Sequence, residues 1–392
     1  MNDRRTVHML WQLSWESPEA RHTEEYYVPL HVYREADLLP DPLKEALSGF
    51  EEGKEVTLTI KAGEILPPFT PERVFTFDLK EFHGGGLRPR FGRYYPRGLL
   101  TGYYGNPLPF RCIGVTDRNL QADFNHPFSR YDFRFHAVIL RSEKQVTGTG
   151  GQCLDWFDLA TSGPGMQARW EGRPTDFFRD NPFGRRDITP DAHFYKEPRL
   201  VSHVDARARE LLQAFYGRLL TPEMDLLDLM SSWQSHLPPD FRPRSLIGLG
   251  LNEQELAANP QLTGRVIHDL NQDPKLPFPE ASFDAIICSL SVEYLIQPFQ
   301  VFRECARVLK PGGLLVHTFS HRWFPPKVVR IWTELTEFER EGLVLEYFLR
   351  DGLFSGLQTY SSRGWPRPPE DRYFSQIRQA DPIFAVWGRK AG

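Results

Sequence analysis

At 392 residues the chain is long for a single domain, so two are expected, and a hydrophobic content of 40% is ample for packed cores. A formal net charge of −4 gives no global bias towards nucleic acid or a membrane surface, and no stretch approaches ~18 uninterrupted apolar residues. Cys112, Cys153, Cys288 and Cys305 are too widely spaced for a disulfide framework or a zinc site, so no metal is expected and a reducing cytoplasm fits best. The opening Met1-Asn2-Asp3-Arg4-Arg5 has no apolar run behind it, and export is therefore not expected.

Residues 6–143 read as predominantly β. His8–Trp15 forms a strand, Pro42–Phe50 a short helix ended near Gly49, Glu55–Ile60 a strand of period two, and Phe133–Leu140 a further strand. Between the last two, Arg88, Arg90, Arg93 and Arg97 interleave with Phe91, Tyr94, Tyr95, Tyr103 and Tyr104. Such mixing could bind single-stranded nucleic acid by stacking and phosphate contact, but the acidic balance of the chain favours a solvated, glycine-rich flap with aromatics packed inward.

Two blocks of this region resemble FKBP-type peptidyl-prolyl isomerases of the SlyD class: Val28-Pro29-Leu30 with Leu43–Gly49 and Gly53-Lys54-Glu55-Val56, then Ala122–Pro127 with Phe133-Arg134-Phe135. The resemblance implies an α+β FKBP-like domain over 1–143, a flap insert within about 70–121, and a protein or peptide partner. Aligned without gaps, Glu35, Ala36 and Asp37 replace a glycine-containing turn. Pro40 falls where the class uses a backbone N–H to hold substrate, and proline has no such donor, so isomerase activity should be weak. Leu39, Leu43 and Phe135 either line an apolar pocket or fill the core.

Residues 144–190, with Gly148, Gly150, Gly151, Gly163, Pro164 and Gly165, have linker composition. A helix then carries apolar positions Leu200, Val204, Ala208, Leu211 and Leu212. Tyr195, Arg199, His203 and Asp205 cluster at its start, either as ordinary polar decoration or at a substrate pocket. Strands follow at Asp225–Met230, Ser245–Leu251, Arg265–Leu270 and Phe283–Leu290. Pro298 starts a helix with Phe299, Phe302, Ala306 and Leu309 on one face. Lys310-Pro311-Gly312-Gly313 stops it, and Leu314–Phe319 is the next strand. A helix near Val328–Leu335 and a final strand over Pro382–Gly388 complete an open, mostly parallel α/β sheet. Its ligands bind beyond the carboxyl ends of the strands.

The blocks Asp269-Leu270-Asn271, Leu276-Pro277-Phe278, Phe283-Asp284-Ala285, Val292–Leu295 and Arg307–Gly313 resemble, in order and spacing, the class I S-adenosylmethionine-dependent methyltransferases of the type 11 group. Leu227-Asp228-Leu229-Met230-Ser231-Ser232-Trp233 with Ser235-His236-Leu237-Pro238 resembles a methyltransferase-like subgroup. The resemblance covers roughly 191–390 and implies a Rossmann-like domain over 191–392 whose antiparallel final strand is an edge strand. It also implies S-adenosyl-L-methionine as cofactor. The positions that would hold it are Asp228, Met230, Ser231, Ser232 and Trp233 after the first strand, Gly250 and Asn252 after the second, Asp269, Leu270 and Asn271 after the third, and Ser289 on the fourth.

Two departures stand out. The glycine-rich loop expected after Leu229 is absent, and Gly250 stands where the family has an acidic residue for the ribose. His236, Tyr294 and His321 are acceptor-pocket candidates, each with a purely structural alternative. Methyl transfer depends chiefly on in-line alignment, so no catalytic dyad follows from spacing. The leading expectation is a methyltransferase fused to an FKBP-like domain. Its rivals are a non-catalytic binding or chaperone-like protein and a prolyl isomerase.

Overall fold

The computed structural model describes residues 5–32, 37, 39–144 and 153–392. The chain divides into two compact units, Met1–Phe177 with Leu335–Gly342 and Phe178–Glu334 with Leu343–Gly392. The stretch expected as a linker at 144–190 is thus shared between the units. Trp156, Phe157, Ala160 and Ala168 join the core of the first, and Arg185 binds Asp191 at 2.9 Å in the second.

In the first unit β1 (Arg5–Glu16), β2 (Arg21–His31), β3 (Glu55–Ile60) and β8 (Phe133–Lys144) form an antiparallel sheet in the order β2-β1-β8-β3. Alternate residues of β1 (Val7, Met9, Trp11, Leu13 and Trp15) are buried, which is the signature of a sheet covered on one face. Leu43 and Leu47 at α1 (Asp41–Ala46) and Trp156, Phe157 and Ala160 of α2 (Trp156–Thr161) pack into the same core. Leu43 and Phe135 are fully buried there and are core residues; only Leu39 of the three pocket candidates borders a cleft. Glu35 and Ala36 lie outside the described residues. Asp37 accepts the His31 N–H at 2.9 Å and the Trp156 indole N–H at 3.4 Å, tying the end of β2 to α2.

The expected insert is a separate four-stranded antiparallel sheet, β4 (Val74–Asp78), β7 (Asn119–Asp123), β6 (Pro109–Val115) and β5 (Tyr94–Pro96), in that order across the sheet. It has its own core of Tyr95, Leu100, Phe110, Cys112, Leu120, Ala122 and Phe124. Its arginines are partly committed inward. Arg93 is buried against Glu339 at 3.2 Å, and Arg97 lies 4.4 Å from the Phe124 ring centroid while donating to the Phe124 and Pro109 carbonyls.

The second unit contains α3 (Asp191–Phe194), α4 (Ala206–Leu219), β9 (Asp225–Leu229), β10 (Ser245–Gly250), α5 (Glu253–Ala258), β11 (Gly264–Ile267), β12 (Phe283–Ser289), α6 (Pro298–Val308), β13 (Leu309–Phe319) and α7 (Arg330–Glu334). After α8 (Glu337–Leu349), which begins in the first unit, come β14 (Phe354–Arg363) and β15 (Ile383–Lys390). Five strands run parallel in the order β11-β10-β9-β12-β13, followed by β15 and β14, each antiparallel to its neighbour. The final strand is therefore antiparallel as expected, but it lies inside the sheet, between β13 and β14. Sequence reading overlooked β14 because Thr359, Ser361 and Ser362, all buried, break its apolar pattern.

The helix expected from Leu200 begins instead at Ala206, because the Asp205 carboxylate caps it by accepting the Ala208 N–H at 2.9 Å. Leu200 and Val201 are left exposed. Ala208, Leu212, Phe215 and Tyr216 form the buried face of α4, and Val301, Phe302, Cys305 and Ala306 that of α6. β9 and β12 are buried on both faces, as central parallel strands require. Strand order reverses between β9 and β12, and this switch point opens a crevice beyond their carboxyl ends. Among the described residues no helix is long and apolar enough to cross a membrane, and no group of three or more His, Cys, Asp or Glu could hold a metal.

Candidate functional site

The crevice is lined from all four of β9 to β12 and the segments that follow them. Asp228, Met230, Ser231, Ser232, Gly250, Asn252, Asp269, Leu270, Asn271 and Ser289 all border it. Trp233 does not; its indole N–H turns to the Val201 carbonyl at 3.3 Å. His236 also lies outside, in a left-handed turn at φ +57°, and burial pushes its pKa down to about 4. Tyr294 borders both this crevice and an outer cavity, its hydroxyl accepting the Phe324 N–H at 2.8 Å. His321 belongs to the outer cavity alone, with Nε2 3.1 Å from Asp381 Oδ1.

The loop after β9 explains how the chain manages without the expected glycines. Met230 itself takes the left-handed conformation at φ +57°, at a cost of about 1–2 kcal/mol for a side chain with a Cβ. Ser231 then donates its N–H to the Leu249 carbonyl at 2.7 Å, laying the loop across the end of β10. A Cβ on Gly250 would run into the Ser231 carbonyl oxygen, so the close approach is served by a glycine on the facing strand. Beneath the loop, burial pushes the Asp228 carboxyl up to about 6, opposed by hydrogen bonds from Ser231 and Ser235; the Ser231 bond is 2.6 Å.

Several predicted side chains are already engaged. Asn252 caps α5 by accepting the Gln254 and Glu255 N–H groups, both at 3.0 Å, and its amide donates to the Tyr195 and Lys196 carbonyls. Asn271 donates to Asp191 at 2.7 Å and to the Tyr294 carbonyl at 2.9 Å. Asp269 differs: Oδ1 accepts the Asn271 and Gln272 N–H groups, while Oδ2 has no partner among the described residues.

Residues not proposed for the cofactor also line the crevice, Glu255, Arg199 and Phe324 among them. Glu255, at the third position of α5, accepts the Ser232 hydroxyl at 2.6 Å and the Arg199 N–H at 2.7 Å. The spacing Asn252-x-x-Glu255 is a helix-start signature that could have located it. Arg199, part of the cluster read from sequence, is flanked by Phe194, Tyr195 and Phe324 with its guanidinium carbon 4.5, 5.5 and 5.3 Å from their ring centroids. Its Nη1 is buried without a hydrogen-bond partner. Phe324 carries no motif and was missed.

These features suit S-adenosylmethionine: an open carboxylate oxygen for an amino donor, the Glu255 carboxylate on α5 just beyond β10 in place of the acid that Gly250 replaces, and an orphaned guanidinium nitrogen for a carboxylate. Apolar flanks come from Met230, Leu251, Leu270 and Leu290. The crevice is narrow, about 120 Å³ against about 530 Å³ for the outer cavity.

Residues 235–317, which run from just after β9 into β13, match the family described as a methyltransferase domain. The malonyl-[acyl-carrier protein] O-methyltransferase of Marinomonas sp. (strain MWYL1) is 28% identical over 121 residues, 30% of this chain and 44% of that protein. The ubiquinone/menaquinone biosynthesis C-methyltransferase of Laribacter hongkongensis (strain HLHK9) is 45% identical over 56 residues, 14% of this chain and 23% of that protein. The chain thus spans less than half the length of these curated relatives. Among solved structures, an S-adenosylmethionine-dependent methyltransferase from Mesorhizobium loti aligns with TM-score 0.29 and 18% identity over 47% of this chain and 96% of that one. The [4+2]-cyclase SpnF aligns with TM-score 0.34 and 18% identity over 51% and 90%.

Proposed function

We propose that the second unit, which holds the methyltransferase-domain match, binds S-adenosyl-L-methionine in the crevice and methylates an acceptor lodged in the outer cavity. The observation that carries this reading is the convergence of open Asp269 Oδ2 and orphaned Arg199 Nη1 on one crevice at the switch point. The bound cofactor would supply a sulfonium methyl group, whose transfer needs alignment more than side-chain chemistry. Asp269 would accept the adenine amino N–H, Glu255 the ribose hydroxyls, and Arg199 would pair with the carboxylate. Phe324 and Tyr195 would exclude water at the mouth. His203 borders both cavities, and burial lowers its pKa, so it is a neutral ring able to take a proton from an acceptor that must lose one.

Calorimetric titration with S-adenosylmethionine and its demethylated product tests the reading. Micromolar binding that weakens about tenfold in Asp269→Ala supports it. No binding up to millimolar concentration would sink it.

For the first unit, the FKBP resemblance and a cleft of about 650 Å³ support a site for a protein or peptide in the cytoplasm. Leu39, Ile65, Leu66, Phe157 and Met166 give that cleft an apolar floor, with Arg73 and Arg97 opposite in charge to Asp155 and Asp158. Pro40 is on the rim without an N–H to offer, so binding is expected and turnover of a proline peptide is not.

A second reading makes the whole protein a non-catalytic binding or chaperone-like module. The engaged side chains of Asn252 and Asn271 and the narrow crevice favour it. The same titration decides between the two.

A further inference from the structure

We propose that the outer cavity anchors the methyl acceptor by a carboxylate carried on an apolar body; this rests on the methyltransferase reading and specifies its substrate class. The cavity, about 530 Å³, shares Arg199, His203, Leu290, Tyr294 and Phe324 with the cofactor crevice, so an occupant lies directly beside the reacting centre. Its charge is one-sided. Arg199, Arg322 and Arg372 line it, and no carboxylate does.

Two nearby acids, Asp371 and Asp381, are occupied elsewhere. Asp371 binds Arg367 at 3.2 Å, and Asp381 binds Arg367 at 2.6 Å and His321 at 3.1 Å. Arg322 and Arg372 have no ion pair among the described residues. Instead their guanidinium carbons lie 5.3 and 4.6 Å from the centroid of the Tyr373 ring, which holds both near one another. Two forked cations oriented by an aromatic ring and lacking a protein anion match the planar, two-oxygen geometry of a carboxylate. The remaining lining is apolar, from Val201, Val204, Leu290, Trp323 and Pro325, and Val201 is exposed to solvent. An acid with an apolar body satisfies both halves.

Because Arg322 and Arg372 line only the outer cavity, the carboxylate they hold is an anchor. The atom to be methylated is elsewhere on the acceptor, towards Tyr294 and Leu290, which line both cavities.

The probe is sodium dodecanoate below its micellar concentration, titrated calorimetrically into the full chain, with dodecyltrimethylammonium and inorganic phosphate as comparisons. Dodecanoate should bind more tightly than either comparison, and Arg322→Gln and Arg372→Gln should each weaken it about tenfold while S-adenosylmethionine affinity is unchanged. Dodecanoate affinity in both variants equal to that of the parent, no dodecanoate binding by the parent, or equally tight binding of the ammonium or of phosphate would each overturn the proposal. Arg372 is exposed, so its variant remains informative if Arg322→Gln fails to fold. Failure of the cofactor reading is separately visible as absent S-adenosylmethionine binding by the parent.

Discussion

His317 offers a sharp test of how dry the core beneath the candidate site is. It lies on β13, fully buried, stacked on Phe302 with ring centroids 4.7 Å apart and planes 6° apart, and neither ring nitrogen has a hydrogen-bond partner. Burial pushes its pKa from the ordinary 6.5 down to about 3. Between those values the unfolded chain takes up a proton that the folded chain refuses. Stability is therefore intact above pH 6.5 and falls as the pH drops towards 3.

Linkage gives a penalty of about 1.4 kcal/mol at about pH 5.5 relative to about pH 7.5. Replacing His317 with Leu removes this component, and it also removes an imidazole whose unpaired nitrogens cost about 1 kcal/mol even when neutral. The variant should be more stable at neutral pH and lose about 1.4 kcal/mol less than the parent on acidification, measured by urea unfolding at both pH values. Burial also pulls down the pKa values of His22, His126 and His236, but those rings are present in both proteins and cancel in the difference. Equal acid sensitivity in parent and variant would show that His317 titrates near its ordinary value and that the reasoning from burial fails.

Gly250→Ala should displace the Met230–Ser232 loop, because the added methyl collides with the Ser231 carbonyl; cofactor affinity is expected to fall by more than tenfold, and unchanged binding would mean that the loop does not shape the site. Arg367→Met should destabilise the second unit by about 3–5 kcal/mol in chemical denaturation at neutral pH, since Asp205 and Asp381 would be left buried without their cation. Burial opposes ionisation of Asp381, yet His321, the Asp205 contact and Arg367 hold its pKa below the ordinary carboxylate range. The deficit of the variant should accordingly shrink as the pH falls and the carboxyl takes up a proton; a deficit that does not change with pH would count against this account.

The sequence alone determined the elements whose signals are local. The apolar run Phe283–Leu290 became β12, Pro298 opened α6, and the period-two run Glu55–Ile60 became β3 without change of boundary. These follow because backbone period and burial pattern are set by residues within a few positions of one another. Ten of the eleven positions the sequence offered for the cofactor also border the crevice, since the ends of parallel strands meet by topology whatever the side chains do.

What only the tertiary structure decided was which of those side chains are free. Asn252 and Asn271 are spent on Tyr195, Lys196, Asp191 and Tyr294, contacts made by residues distant along the chain. Likewise the glycine missing after Leu229 is answered by Gly250 across the strand pair, and buried Thr359, Ser361 and Ser362 hide β14 from any reading of hydrophobic period. Hydrogen-bond capacity is finite and is consumed by whichever partner folding brings within 3 Å or so. A list of residues therefore locates a site, while the partners each one finds determine which of them can still receive a ligand.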